Sequence, residues 1–334
     1  MSSSSSSSSS NNNRIDINKP RYDQSTFEGR AKHFFITTNP LNCLATEQQL
    51  LEAKRIVDSY RSGTSLEELG INEEQLWEKK QLYDSAFHPQ TGEMLILPGR
   101  MSCQVPGNMV ITGCMMTFYK TVPAVVFWQF ANQTFNAIVN FSNRNASAGV
   151  TTEQLGTAYA AASSASVATA LLFNKIVASS PALSAGIVGR FVPLVAVAAA
   201  NCVNIPLMRQ QELKHGIAIQ TEDGQVVGES TQAAVDAISQ VIPSRIGMAI
   251  PGMMIPPLVM SKLEKTALLI KNPWLKAPFT VLLTGLCLTF STPLCCALFP
   301  QQASIQLSSL EPELQKEVSQ KFPGYKTFYY NKGL

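Results

Sequence analysis

Residues 123–146 read PAVVFWQFANQTFNAIVNFSNRNA. The run from Thr121 to Asn143 has 23 residues and no charge, between Lys120 and Arg144. As a helix it would be about 34 Å long, against a bilayer hydrocarbon core of roughly 30 Å. Yet it carries Gln129, Asn132, Gln133, Asn136, Asn140 and Asn143. Gln129, Gln133, Asn136, Asn140 and Asn143 follow one another at spacings of 4, 3, 4 and 3, which makes one stripe on a helix. Val126, Phe127, Phe130, Phe135 and Val139 occupy the other face. A carboxamide left without partners in hydrocarbon is costly, so the stripe must face protein or water. Two readings follow. The amides bind neighbouring helices together, or they line a polar path. Amides offer donors and an acceptor without fixed charge, which suits a zwitterion.

The surroundings of this run point to a membrane. Of the 334 residues, positions 1–100 hold 24 charges, whereas 101–300 hold 18 over twice the length. Met101–Tyr119, Gln154–Asn174, Phe191–Met208 and Ala277–Pro300 are all uncharged, and Val235–Ser261 is broken only by Asp236 and Arg245. A polytopic membrane protein needs such runs. The expected fold is an all-α polytopic bundle of about five transmembrane helices, with the amide segment re-entrant or interfacial. With that segment not crossing, Arg100, Lys175, Arg190 and the four lysines of 262–276 share a side with the N-terminus. The two chain ends then fall on opposite faces.

Four regions follow. Residues 1–17 form a Ser/Asn-rich tail with nothing to bury. Residues 18–100 form a small helical extramembrane region. Thr46 with Gln49 has the form of a capping box, and Asn72 caps a second helix. Residues 101–300 form the bundle. Within it, 209–236 form an extramembrane hairpin in which Asp223-Gly224 signals a type I′ turn. Residues 301–334 form a C-terminal tail.

Chemistry-bearing features are few. His88-Pro89-Gln90-Thr91-Gly92-Glu93 reads as a structural corner, because Pro89 disfavours helix at His88 and Thr-Gly suits a turn. A gating or metal-touching loop is the sharper alternative, but one His and one Glu do not make a metal site. Arg245 either snorkels to the headgroups or binds a substrate carboxylate. Pro193, Pro206, Pro243, Pro251, Pro256, Pro257 and Pro293 punctuate the runs, as in transporters with broken helices. No catalytic nucleophile–base set, phosphate loop, metal ligand set or cofactor motif occurs, so no enzyme, cofactor or metal is expected. The net charge of +3 comes without a basic patch, so no nucleic-acid partner is expected. The seven cysteines contain no CxxC pair and read as packing residues.

Several stretches, in order, resemble the sideroflexins. They include YDQSTFEGRAKHFF (22–35), YDSAFHPQTGE (83–93), QVPGNMVITGCMMTFY (104–119) and FWQFANQTFNAIVNFSNRN (127–145). GRFVPLVAVAAANCVNIPLMRQQEL (189–213), PLCCALFPQ (293–301), LEPEL (310–314) and YYNKGL (329–334) continue the match. Two departures stand out: the family's HPDTGE has Gln90 here, and its DPR reads Asn39-Pro40-Leu41. The resemblance implies a multi-pass protein of the mitochondrial inner membrane with its N-terminus in the matrix. It also implies carriage of L-serine, with alanine and cysteine as further small neutral amino acids, supplying one-carbon metabolism. Its partners would be these solutes and membrane lipids. The competing expectation is an inner-membrane scaffold or assembly factor with no transport of its own.

Overall fold

The computed structural model describes residues 14–88, 91–118, 121–142, 152–180, 192–333. The chain opens with α1 (Phe27–Thr37), α2 (Glu47–Arg61), α3 (Leu66–Leu69) and α4 (Glu73–Ala86). Reciprocal side-chain and backbone hydrogen bonds of Thr46 with Gln49, Ser65 with Glu68, and Asn72 with Gln75 start α2, α3 and α4. Each box satisfies two backbone donors that a helix start otherwise leaves open. Leu50, Ile56, Val57, Tyr60, Leu76 and Tyr83 form the core of this unit. Ile17 is buried in the same core and Ile15 packs against it, so the chain enters the fold before residue 18. Leu51, beside buried Leu50, is exposed.

Among the described residues six longer helices follow: α5 (Gln104–Phe118), α6 (Val122–Ser142), α7 (Thr152–Ala178), α8 (Val192–Met208), α10 (Thr231–Leu263) and α12 (Lys276–Cys296). Two short ones, α9 (Gln210–His215) and α11 (Ala267–Lys271), sit between them. The six pack as a closed ring in the order α5, α6, α7, α8, α10, α12 and back to α5. Neighbours run antiparallel where contacts fix direction. Gly107 meets Phe135, and Gly99 meets Ser142. Gly113 meets Val281, and Gly285 meets Met109. Gly247 lies against Cys295, and Gly252 against Leu288.

Among the described residues, two helical stretches, Thr231–Leu263 and Pro273–Cys296, are long and apolar enough to cross a bilayer. Most of each apolar window is unburied in the chain, unlike the core helix of a water-soluble protein. Leu282, Leu286, Phe290 and Leu294 lie four apart along α12 and are all exposed. A stripe of this kind fits contact with lipid.

The fold is not all-α. Strands β1 (Ile217–Gln220), β2 (Val226–Ser230), β3 (Gln302–Gln306) and β4 (Thr327–Asn331) form one antiparallel sheet in the order β2-β1-β4-β3. Residues 301–334, expected as a tail, thus supply half of the sheet, and α13 (Pro312–Lys321) packs on it. Ile219, Phe328, Tyr330, Ile305 and Val318 form its core with Ala233 and Ala237 of α10. The hairpin forms as expected, but its turn is not type I′. Among the described residues no non-glycine has positive φ, so Asp223 cannot take the first central position of that turn. Instead Gly224 N–H donates to Thr221 O at 3.0 Å, with Gly224 alone at φ +80°.

The amide segment is a single helix of 21 residues. A re-entrant reading requires a reversal, and none occurs within Val122–Ser142. Because α6 carries the chain back along α5, both chain ends come to the same end of the bundle. Arg30 of α1 donates Nε–H to Ala297 O at 2.9 Å, just past α12, and Lys332 donates its backbone N–H to Gln301 O at 3.0 Å. The expectation of opposite faces is therefore overturned. Arg100, just before α5, lies at this end, whereas Lys175, Lys262, Lys265, Lys271 and Lys276 lie at the other.

Candidate functional site: the inward face of α6

The sequence of α6 alternates amides and apolar residues so that the helix is polar inward and apolar outward. Gln129 and Gln133 are 1 % and 5 % exposed. Asn132 and Asn136 lie on the same arc and are half-buried. On the opposite arc Phe127 is 60 % and Phe130 53 % exposed. This is the reverse of a water-soluble surface helix, and it is the arrangement hydrocarbon selects. Phe135 and Val139 are not on the outward face as the wheel suggested. Both are buried, Phe135 against Gly107 of α5. The Asn140 side chain and Asn143 lie outside the described residues.

Helix α7 closes the other side of this face. Thr134 Oγ1 and Tyr159 Oη share a hydrogen bond of 2.7 Å, and Val125 packs with Ala170. These two contacts fix α6 and α7 as antiparallel. Residues 160–170 are Ala, Ser or Thr apart from Val167, so the backbones can approach closely.

Arg245 is not brought to the amides. Its neighbour Gly247 lies against Cys295, in the last turn of α12, and Arg209 and Cys296 are within its electrostatic reach. Counting residues along the paired helices separates Arg245 from Gln129 by roughly 20 Å at 1.5 Å per residue. One small amino acid cannot touch both. Arg245 belongs instead to a group of cations at the end of the bundle that carries the sheet. There Arg209 pairs with Glu212 and donates Nη1–H to Lys332 O at 2.9 Å. Lys332 is 2 % exposed and donates Nζ–H to Phe299 O at 3.0 Å. Burial pushes its ammonium below the ordinary lysine range. Sequence reading passed over Lys332 and its meeting with Arg209, because that meeting depends on the long-range pairing of β1 with β4.

The His88–Glu93 corner is built as a locked turn. His88 N–H donates to Glu93 O at 2.8 Å, and Gly92 N–H to His88 O at 2.9 Å. Thr91 N–H donates to His88 Nδ1 at 3.3 Å, and Glu93 N–H to Thr91 Oγ1 at 3.3 Å. Gly92 sits at φ +65°, and Lys54 Nζ donates to its carbonyl at 2.7 Å. His88 is buried. Pro89 and Gln90 lie outside the described residues. Among the described residues no group of three or more His, Cys, Asp or Glu could hold a metal ion.

The family model for sideroflexins matches residues 16–334. Sideroflexin-1 of Homo sapiens is 56 % identical over 320 residues, covering 96 % of this chain and 98 % of that protein. Sideroflexin-1 of Ovis aries and Sideroflexin-3 of Mus musculus share the same identity over the same coverage. No solved structure matches. With its exposed apolar helices, its inward-facing amides and this full-length match, the chain belongs to the sideroflexin family.

Proposed function

We propose that this sideroflexin is a multi-pass carrier of the mitochondrial inner membrane. It moves L-serine, and with it small neutral amino acids such as alanine and cysteine, and so supplies one-carbon metabolism in the matrix. One observation supports this most. The inward arc of α6 joins two buried glutamines to two half-exposed asparagines, while its outward arc is bare phenylalanine. A helix kept this polar on the inside serves a hydrophilic traveller as well as it serves packing. The carrier works by alternating access. The amides solvate ammonium and hydroxyl, and Arg245 acts at a separate depth as an entry or exit residue.

Lysine placement supports an orientation. The end of the bundle away from both termini carries Lys175, Lys262, Lys265, Lys271 and Lys276 against Glu264 alone, among the described residues. Basic loops stay on the side from which positive charge is not translocated. The basic end then faces the matrix and the N-terminus the intermembrane space. This reverses the orientation implied by the resemblance; the charge argument that agreed with it needed Arg100 beside those lysines, and Arg100 lies at the other end. Protease digestion of intact mitochondria should clip the N-terminal unit only after the outer membrane is opened. Protection until the inner membrane is dissolved would return the N-terminus to the matrix.

Purified protein in liposomes tests the carrier. Labelled serine should move down its gradient with no other protein present. If the reconstituted chain is folded and nothing moves, the chain is a scaffold, and the buried glutamines serve only to hold helices together.

A further inference from the structure

We propose that Ser163 is a solute-contacting residue of the α6–α7 seam, and that with Gln129 and Gln133 it forms a station for a small solute of zero net charge. The inference rests on the carrier reading above and adds a residue to it.

Ser163 is 7 % exposed, and its Oγ makes no hydrogen bond. The two described threonines of α7 with bonds to their own helix behave differently from this buried serine. Thr157 Oγ1 donates to Glu153 O and Thr169 Oγ1 to Ala165 O, both at 2.7 Å, the usual habit of a helical hydroxyl. Ser163 does not turn back onto its own helix. A buried hydroxyl that forgoes the nearest carbonyl is held for another partner.

Its position says which partner. Tyr159, Ser163 and Ala170 fall within about 40° of one another around α7. Tyr159 and Ala170 are the residues that meet α6, so Ser163 points the same way. The contacts Tyr159–Thr134 and Ala170–Val125 mark two levels along the seam. Ser163 lies about a third of the way between them, at a level between Gln129 and Gln133 on α6. Two carboxamides and a hydroxyl therefore lie at one depth of the α6–α7 pair.

Charge and space define the solute. Gln104–Phe118, Val122–Ser142, Gln154–Asn174 and Val192–Met208 contain no ionisable carboxylate, amine or guanidinium, and neither do 246–261 or 277–296. A lone anion or cation at this depth would have no counter-charge, whereas a zwitterion brings its own. The Ala/Ser surface of α7 leaves room for a small side chain only.

The test uses the full chain in liposomes with labelled L-serine. Ser163→Ala should slow uptake roughly fivefold to tenfold, as expected for one lost hydrogen bond. Ser163→Leu should abolish uptake, while Ser164→Leu on the exposed side of α7 leaves it within about twofold. Ser163→Cys gives a readout independent of transport. Its thiol should react with a water-soluble thiol reagent, followed by mass spectrometry of that peptide, and L-serine should slow the reaction. Normal uptake by Ser163→Leu, or no labelling of Ser163→Cys in the folded protein, overturns the proposal and leaves the carrier reading standing. If the unmutated protein moves no solute but Ser163→Cys is labelled and protected by serine, the carrier reading fails and the binding station stands.

Discussion

Glu311 caps a helix eighty positions earlier in the chain: its Oε1 accepts the backbone N–H of Thr231, the first residue of α10, at 2.6 Å. The same oxygen accepts Thr231 Oγ1–H at 2.6 Å and the backbone N–H of Gln232 at 2.9 Å. Ser230 Oγ–H donates to the carboxylate as well. Burial works against the charge, but these donors outweigh it and pull the carboxyl down to about 2. A negative group over the first turn of a helix also meets its dipole favourably.

The sign of the pH effect follows. A carboxyl lowered from 4.5 to about 2 on folding contributes stability that is complete above the unfolded value and fades as pH falls toward 2. Glu311→Gln should cost about 1–2 kcal/mol near neutrality, the scale of a lost N-cap. Thermal melts in detergent should show the gap between the two proteins closing between pH 4.5 and 2. A gap that does not change with pH would remove the carboxylate from this role.

The α5–α12 contact makes a second prediction. A Cβ at Gly113 would lie 2.7 Å from Val281 Cα, a backbone atom that cannot yield. At Gly285 it would lie 2.5 Å from Met109 Sδ, the movable part of a flexible side chain. Gly113→Ala should therefore destabilise by about 1–3 kcal/mol, and Gly285→Ala by less. The ranking of the two melting temperatures checks this.

Arg30 holds the N-terminal helices to the bundle. It donates to Ala297 O at 2.9 Å, Gln24 O at 3.0 Å and Ser25 O at 2.8 Å, and is 6 % exposed. A lysine has no planar fork to serve three carbonyls in different directions. Arg30→Lys should cost about 2–3 kcal/mol and speed proteolysis near residue 26, with transport-independent folding of the ring retained.

The polarity of α6 predicts an asymmetry in uptake. Asn132→Leu with Asn136→Leu should abolish serine uptake in liposomes while insertion is unchanged. Phe127→Leu and Phe130→Leu, on the outward arc, should alter it by less than twofold, in keeping with roughly 0.5 kcal/mol or less for exposed sites. Equal effects on both arcs would exclude a path along the inward face.

Much of this was legible in the sequence because it is local. Thr46 with Gln49 and Asn72 with Gln75 start helices through neighbours three residues away, and the Thr91-Gly92 turn is closed largely by His88, Thr91 and Glu93 beside it. The amide period of α6 reads directly as a stripe. Residues 301–334 were opaque because Ile219 finds Tyr330 more than a hundred positions away, and no local pattern encodes that register. The sidedness of the ends failed for a related reason. It depended on whether one helix traverses the bundle, and the grouping of Arg100 with Lys175, Arg190 and the four lysines of 262–276 argued against that. Ser163 was invisible because only the packing of α7 on α6 separates it, buried, from its exposed neighbour Ser164.

The shared location of both termini bears on assembly. The α5–α6, α7–α8 and α10–α12 pairs each leave from and return to the end that bears the N-terminal unit and the sheet. If all six helices span, only the far-end connections, residues 119–121, 179–191 and 264–275, have to cross the bilayer. The bulky folded parts remain where they started, so insertion moves little mass across the barrier and nothing prefolded has to be unravelled to pass.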